Sequence, residues 1–146
     1  MTETISTTTN THGLSKDELL EIDYYLRLTR TLEERLVALF RQTKVIGGVY
    51  RSLGQEGESV AAAYALEYDK GDVVQPLIRN LGSVLVDGAK PVDVLRQYMA
   101  KGNSPTRGRE MNIHFGHPEF NVLGKSFCVY RYDLRRRSVA GWPLMS

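Results

Sequence analysis

The sequence predicts a mostly helical chain with little sheet. Helical signals occur in an amphipathic stretch over 15–43, an alanine-rich stretch over 59–67, and a stretch over 91–99 that begins with Pro91, a residue favoured in the first turn of a helix. The segment 73–78 is apolar and strand-like, but Pro76 argues against a central position because proline cannot donate to a ladder. The length of 146 residues fits one domain.

The first helix has both a start signal and a stop signal. Ser15 and Glu18 have the spacing of a capping box, and Gly47-Gly48 is expected to end the helix. Charged residues, Glu33 among them, are assigned to the solvent side. Apolar residues recur in steps of three and four, which places them on one face: Ile22, Tyr25, Leu28, Leu32, Leu36, Leu39 and Phe40.

The following segments combine small residues with turn signals. Alanines at 61, 62, 63 and 65 would permit close approach of a neighbouring element. Glu56 is expected to favour the positive end of a helix dipole, with a buried functional carboxylate as the alternative. A turn is predicted at 69–72, a short helix or turn at 80–87, and a long irregular loop at 101–118, a length typical of functional or disordered segments.

Composition excludes several classes of protein. Hydrophobic residues make up 42% and charged residues 25%, unlike a disordered chain, and one Cys excludes a disulfide scaffold. No apolar run reaches the roughly 18 residues of a membrane span. Three consecutive arginines at 135–137 without a recognisable binding fold are poor support for a nucleic-acid site. We therefore expect no membrane and no nucleic acid among the partners and, in the absence of a secretory signal, a cytoplasmic location.

The charge distribution divides the chain near Gly124. Residues 1–124 carry 14 basic and 16 acidic residues, whereas 125–146 carry five basic residues and one acidic residue, together with Cys128 and Trp142. We interpret 1–14 as a flexible polar tail, 15–124 as the folded part, and 125–146 as a divergent tail. A frame change in the gene and a natural tail are both compatible with this composition.

The candidate site residues have ordinary structural explanations when taken singly. Arg79 follows an apolar stretch, where a guanidinium can clamp a phosphate, but surface arginines are common. His114 lies among apolar residues, and His117 is its nearest potential co-ligand. Two histidines without a neighbouring carboxylate are a weak zinc signal, so no metal site is assigned.

The order of these segments resembles the N-terminal part of the alpha subunit of a thiamine-diphosphate-dependent 2-oxo acid dehydrogenase, the decarboxylating component of the pyruvate or branched-chain complexes. The resemblance covers roughly 15–124. Its most specific parts are Gly54-Gln55-Glu56 before an alanine-rich helix, and Arg107-Gly-Arg-Glu-Met-Asn-Ile-His114. It implies an α/β parent fold, of which this chain, taken as a truncated piece, holds mainly the leading helices.

The resemblance also implies site residues and a cofactor. Arg79 matches an arginine that contacts the cofactor diphosphate, and Ile78 stands where the family usually has a tyrosine. Tyr50 falls near a variable position that faces the pocket, and His114 lies in the loop lining the approach to the active site. The family's Gly-Asp-Gly motif for magnesium is absent, since Val73 follows Gly71-Asp72.

The implied reaction is oxidative decarboxylation of a 2-oxo acid with acyl transfer to a lipoyl group. The implied partners are the beta subunit of the same component and the lipoyl-bearing acyltransferase of the complex. A non-catalytic helical interaction module or a pseudogene product is the alternative.

We expect the isolated chain not to bind thiamine diphosphate and magnesium at micromolar concentration. One charge-assisted contact from Arg79 contributes about 1.5–3 kcal/mol, whereas association costs about 4–15 kcal/mol. Isothermal titration calorimetry checks this, and magnesium-dependent micromolar binding would contradict it.

Overall fold

The computed structural model describes residues 13–110, 112–113, 132–133 and 138–139. The elements in this part are α1 (Lys16–Arg41), α2 (Glu56–Tyr64), a 3-10 turn (Tyr68–Lys70), α3 (Leu81–Val86), α4 (Pro91–Tyr98), β1 (Tyr132–Asp133) and β2 (Ser138–Val139). β1 and β2 pair antiparallel, with Tyr132 opposite Val139. For these residues, the expectation of a mostly helical chain with little sheet is confirmed. Most of the predicted tails, 1–14 and 125–146, lie outside the described residues, and the division of the chain at Gly124 stays a prediction.

Helix α1 begins as its sequence predicts. The Glu18 N–H donates to Ser15 Oγ at 3.2 Å, and the Ser15 N–H donates to the Glu18 carboxylate at 2.7 Å, which completes the capping box. The helix ends at Arg41, earlier than the glycine pair suggested. The reason is Thr43, whose φ of 56° turns the chain into the left-handed region, so that the Lys44 N–H donates back to the Leu39 carbonyl at 3.0 Å.

The apolar face of α1 packs as predicted in its central part and not at its end. Leu32, Leu36 and Leu39 are buried. Phe40 is 45% exposed, because it lies beside the stripe at the last turn. Glu33, assigned from the sequence to the solvent side, is only 3% exposed. The charged residue inside the core is therefore the principal correction to the predicted helix.

One hydrophobic core joins α1, α3, α4 and the loops between them. α4 begins with Pro91 at its first turn, as expected, and buries Val94 and Tyr98. The buried core residues are Leu32, Leu36, Leu39, Val45, Leu81, Val84, Leu85, Ala89, Val94, Tyr98 and Ile113. Since α3 contributes three of these in six residues, it occupies the centre of the packing.

The closest helix contact lies between α3 and α2. A Cβ on Gly82 would stand 2.5 Å from Ser59 Oγ and 2.8 Å from Val60 Cγ2, so any larger residue would force these neighbours to shift. The Ser83 hydroxyl donates to the Ser59 carbonyl at 2.8 Å across the same contact. Of the alanines expected to permit a close approach, Ala63 is buried, whereas 61, 62 and 65 are exposed. The small residue that permits the contact is the glycine of α3.

The segment 73–78, predicted to be strand-like, has little regular structure. Val74 is a single bridge residue and packs against the core, and the other positions of 73–78 have no strand assignment. None of the helices in the described ranges is long and apolar enough to cross a membrane.

Gly82→Ala is expected to lower the free energy of unfolding by about 1–3 kcal/mol, the usual cost of overpacking a filled contact. Gly57→Ala is the matched control, because Gly57 lies in α2 with nothing within 4 Å of an added Cβ. The control should raise stability by about 0.5–1 kcal/mol. Urea denaturation measures both, and equal effects of the two substitutions would contradict the close contact.

Candidate functional site

Arg79 lies in a tight turn directly before α3. The Asn80 N–H donates to the Leu77 carbonyl at 3.0 Å, and the Leu77 N–H donates to Asn80 Oδ1 at 3.1 Å. These two bonds close the turn and leave Ile78 and Arg79 at its centre. Arg79 is exposed and has no ion pair or hydrogen bond within the described part of the chain. Its guanidinium is available to an anion.

Ile78 is half-buried and has only an apolar side chain. It offers no hydrogen bond where the resemblance leads one to expect a tyrosine hydroxyl. The turn therefore supplies one charged contact, from Arg79, and one apolar wall.

Tyr50 lies on the loop between α1 and α2. Val49 packs against the core, whereas the next residue, Tyr50, is 49% exposed. The Tyr50 ring folds back over Gly48, where an added Cβ would lie 3.2 Å from Cε2 and 3.4 Å from the hydroxyl oxygen. The absence of a side chain at position 48 leaves the space that the ring occupies.

A buried carboxylate holds the middle of this loop. The backbone N–H of Ser52 lies 2.9 Å from each Glu33 carboxylate oxygen, and the Ser52 hydroxyl also donates to Glu33. Ser52 is fully buried. Tyr98 is also buried. Its burial, and secondarily the nearby charge of Glu33, raises the pKa of the Tyr98 hydroxyl. A buried carboxylate needs such donors, because an unpartnered one would be expelled or neutralised.

A second carboxylate holds the end of the loop. Glu56, only 5% exposed, accepts from Arg30 Nε of α1 at 2.8 Å and from the Gly54 N–H at 2.8 Å. The hydrogen bond from Arg30 lowers the pKa of Glu56 against the opposing effect of burial. Glu56 is therefore buried and bonded across two elements, in addition to its place in the first turn of α2.

The loop after α4 is organised by one buried amide. Gln97 is 1% exposed; its Nε2 donates to the Glu110 carbonyl at 2.8 Å, and its Oε1 accepts from the Thr106 hydroxyl at 3.0 Å. The Gly108 N–H donates to Ser104 Oγ at 3.0 Å. These contacts give 101–110 a defined course without helix or strand. His114 lies outside the described residues.

Tyr50 and Arg79 lie on two separate loops, and each loop leads into a helix that packs against the other helix. The Tyr50 loop leads into α2 and the Arg79 turn leads into α3, and these helices pack together at Ser59 and Gly82. No hydrogen bond, ion pair or ring contact joins Tyr50, Ile78 and Arg79 within the described residues. Nor does this part of the chain contain a group of three His, Cys, Asp or Glu side chains placed to hold a metal.

The residues that sequence reasoning missed are the ones that hold the loops: Glu33, Ser52 and Gln97. Glu33 had a detectable signal, because it lies one residue after Leu32 and three before Leu36, within the buried arc of α1. Ser52 and Gln97 had no such signal, since their partners are 19 and 13 residues distant.

Glu56→Gln is expected to lower stability near neutral pH by weakening the pair with Arg30. The folded pKa of Glu56 lies below its ordinary value of 4.5, so its stabilising contribution is present above about pH 4.5 and is lost as the pH falls through the lowered value. The difference in unfolding free energy between wild type and variant should shrink over that interval. Urea denaturation from pH 3 to pH 7 measures it, with about 3 kcal/mol as the upper limit for a charged hydrogen bond.

Glu58→Gln is the control, because Glu58 is exposed in the same first turn of α2. It removes a charge near the helix dipole without touching Arg30. Identical pH dependence of the two variants would show that Glu56 acts through the dipole alone.

Comparisons with known proteins agree with this arrangement of segments. The chain is 27% identical over 114 residues to the 2-oxoisovalerate dehydrogenase subunit alpha of Pseudomonas aeruginosa, which covers 76% of this chain and 27% of that relative. No solved structure matches. Residues 24–144 match the family described as the dehydrogenase E1 component, a range that extends past Gly124. Because this match covers more than half of the sequence, the chain belongs to the dehydrogenase E1 component family.

Proposed function

We propose that the chain acts as an alpha-type component in the oxidative decarboxylation of a branched-chain 2-oxo acid, with acyl transfer to a lipoyl group. The observation that carries this is Arg79, an exposed arginine without an ion pair in the described part of the chain, in a closed turn beside α3. Family membership supports an oxidoreductase acting on 2-oxo acids. The likeness to a 2-oxoisovalerate dehydrogenase subunit favours a branched substrate over pyruvate.

The family depends on thiamine diphosphate, and the described residues fit part of that cofactor. A guanidinium presented by a closed turn suits a diphosphate, because its N–H groups can donate to two phosphoryl oxygens at once. Ile78 adds an apolar wall. The described residues do not group into a magnesium site, so no role is assigned to that ion here. When bound, the cofactor supplies the electron sink for decarboxylation.

The remaining side chains have roles that follow from their chemistry. Tyr50 has a half-exposed ring and hydroxyl, and we infer that they would face the substrate. His114 would act as a proton donor or acceptor through its imidazole nitrogens. Arg79 would orient the cofactor by its diphosphate.

The proposed partners are a beta subunit and a lipoyl-bearing acyltransferase. The chain spans 27% of the length of the curated relative, so an active assembly would draw on residues beyond those of this sequence. The cytoplasmic location also stays a prediction.

A non-catalytic interaction module is the second candidate. The anchored loop before α2 carries Ile46, Tyr50 and Leu53 with about half of each side chain exposed, at 52%, 49% and 51%. Exposed apolar side chains on a fixed backbone are typical of a contact surface.

Co-expression of the chain with the beta-subunit gene of its own organism separates these candidates. We expect a complex that, with thiamine diphosphate and magnesium, releases CO2 from 2-oxoisovalerate faster than from pyruvate, with ferricyanide as acceptor. A complex without turnover on either substrate would favour the interaction module. Absence of a complex would contradict the proposed alpha-type component.

Arg79→Ala in that complex should weaken thiamine diphosphate binding about tenfold to a hundredfold, because a charged hydrogen bond contributes about 1.5–3 kcal/mol. Arg51→Ala is the matched control, since Arg51 is also exposed and without an ion pair within the described residues. Calorimetric titration measures both, and equal affinities would remove Arg79 from the cofactor site.

A further inference from the structure

The loop that carries Tyr50 is attached to the helices on both sides of that residue. Before it, the Ile46 N–H donates to the Tyr98 carbonyl at 3.0 Å. Immediately next to it, Val49 packs against the core. After it come the bonds of Ser52 to Glu33 and of Gly54 to Glu56. A surface loop with this many attachments over nine residues has little freedom to move its backbone.

The strongest of these attachments is also the least expected. Glu33 lies in the core with 3% exposure, and its two oxygens are directed to the N–H and hydroxyl of Ser52. Burying a carboxylate is costly even with donors present. The Glu33 carboxylate therefore holds the backbone at Ser52, two residues after Tyr50.

The side chain of Tyr50 is constrained in a different way. Its ring lies against the backbone of Gly48, and an added Cβ would stand 3.2 Å from Cε2 and 3.4 Å from both Cζ and the hydroxyl oxygen. Gly48 has no positive φ, so a larger side chain fits its backbone, and only the ring stands in the way. A side chain at position 48 would therefore crowd the ring in its present orientation.

We propose that Glu33 and Gly48 are positioning residues that together set the orientation of Tyr50, Glu33 by fixing the backbone and Gly48 by leaving room for the ring. The inference rests on the proposed function only for the use made of Tyr50. Neither positioning residue is expected to contact substrate, because Glu33 is buried and Gly48 lies beneath the ring.

The test measures the χ1 rotamer populations of Tyr50 by three-bond couplings in the full chain, with Tyr50→Phe used to assign its resonances. We expect one dominant rotamer in the wild type. Gly48→Val should shift Tyr50 to another rotamer, and Glu33→Gln should give averaged couplings with faster amide exchange at Ser52. Averaged couplings in the wild type, or an unchanged rotamer in Gly48→Val, would overturn the proposal.

Two matched controls separate positioning from general loosening. Gly102→Val replaces a loop glycine with nothing within 4 Å of an added Cβ, and Glu34→Gln neutralises an exposed neighbour of Glu33. Both should leave the Tyr50 couplings unchanged. Glu33→Gln retains one acceptor oxygen for Ser52, so the test can still be made where Gly48→Val unfolds the chain. If the control variants altered the Tyr50 couplings as much as the test variants do, the proposal would be contradicted.

A kinetic measurement tests the link to catalysis separately. In the complex with the beta subunit, Gly48→Val should raise KM for 2-oxoisovalerate about tenfold and change kcat less, as expected for altered substrate contact. A shifted rotamer with unchanged KM would leave the positioning intact and remove Tyr50 from the proposed substrate site. The coupling measurement needs no cofactor or partner, so the two results fail independently.

Discussion

The close approach of α3 to α2 at Gly82 is the contact on which the placement of both candidate loops depends. The Arg79 turn ends where α3 begins, and the Tyr50 loop ends where α2 begins. With no room for a Cβ at position 82, the two helices meet at van der Waals distance, and the bond from Ser83 to Ser59 fixes their relative position.

Buried polar groups then fix each loop to this helical base. Glu33 and Glu56 hold the Tyr50 loop, and Gln97 holds the loop that precedes His114 in sequence. Each is nearly inaccessible to water, so each must be satisfied by protein donors and acceptors, and the loop backbone supplies them. The same requirement that makes these groups costly to bury makes the loop conformations specific.

The proposed chemistry depends on exposed residues held by buried ones. Arg79 and Tyr50 are accessible. The backbone turn that carries Arg79 is closed by the bonds between Leu77 and Asn80, and we propose that the space at Gly48 orients the Tyr50 ring. Oriented side chains reduce the ordering cost of binding. In this chain, accessible residues are therefore the candidates for the chemistry of the family, and buried residues support the loops that carry them.

Much of the helical structure was predictable because its signals are local. The capping box at Ser15 and Glu18, the start of α4 at Pro91 and the central part of the α1 stripe all depend on residues within a few positions of one another. Helix α1 ends at Arg41, within two residues of the predicted end, and the left-handed Thr43 rather than the glycine pair turns the chain there. The apolar composition of 73–78 suggested a strand, but only Val74 forms a bridge, because strand pairing depends on which distant segment lies alongside.

The sequence by itself predicted the order of the helices and the central part of the α1 stripe, although α2 lies at Glu56–Tyr64 and not at the predicted 59–67. Through its resemblance it also named candidate residues, Arg79, Ile78, Tyr50 and His114. Only the tertiary structure decided that Glu33 is buried, that Gly82 is the point of close approach, and that Glu56 pairs with Arg30 across 26 residues. The physical reason is range: capping and periodicity act within one or two turns of chain, whereas burial of a charge and the fit of a glycine depend on which distant surfaces meet.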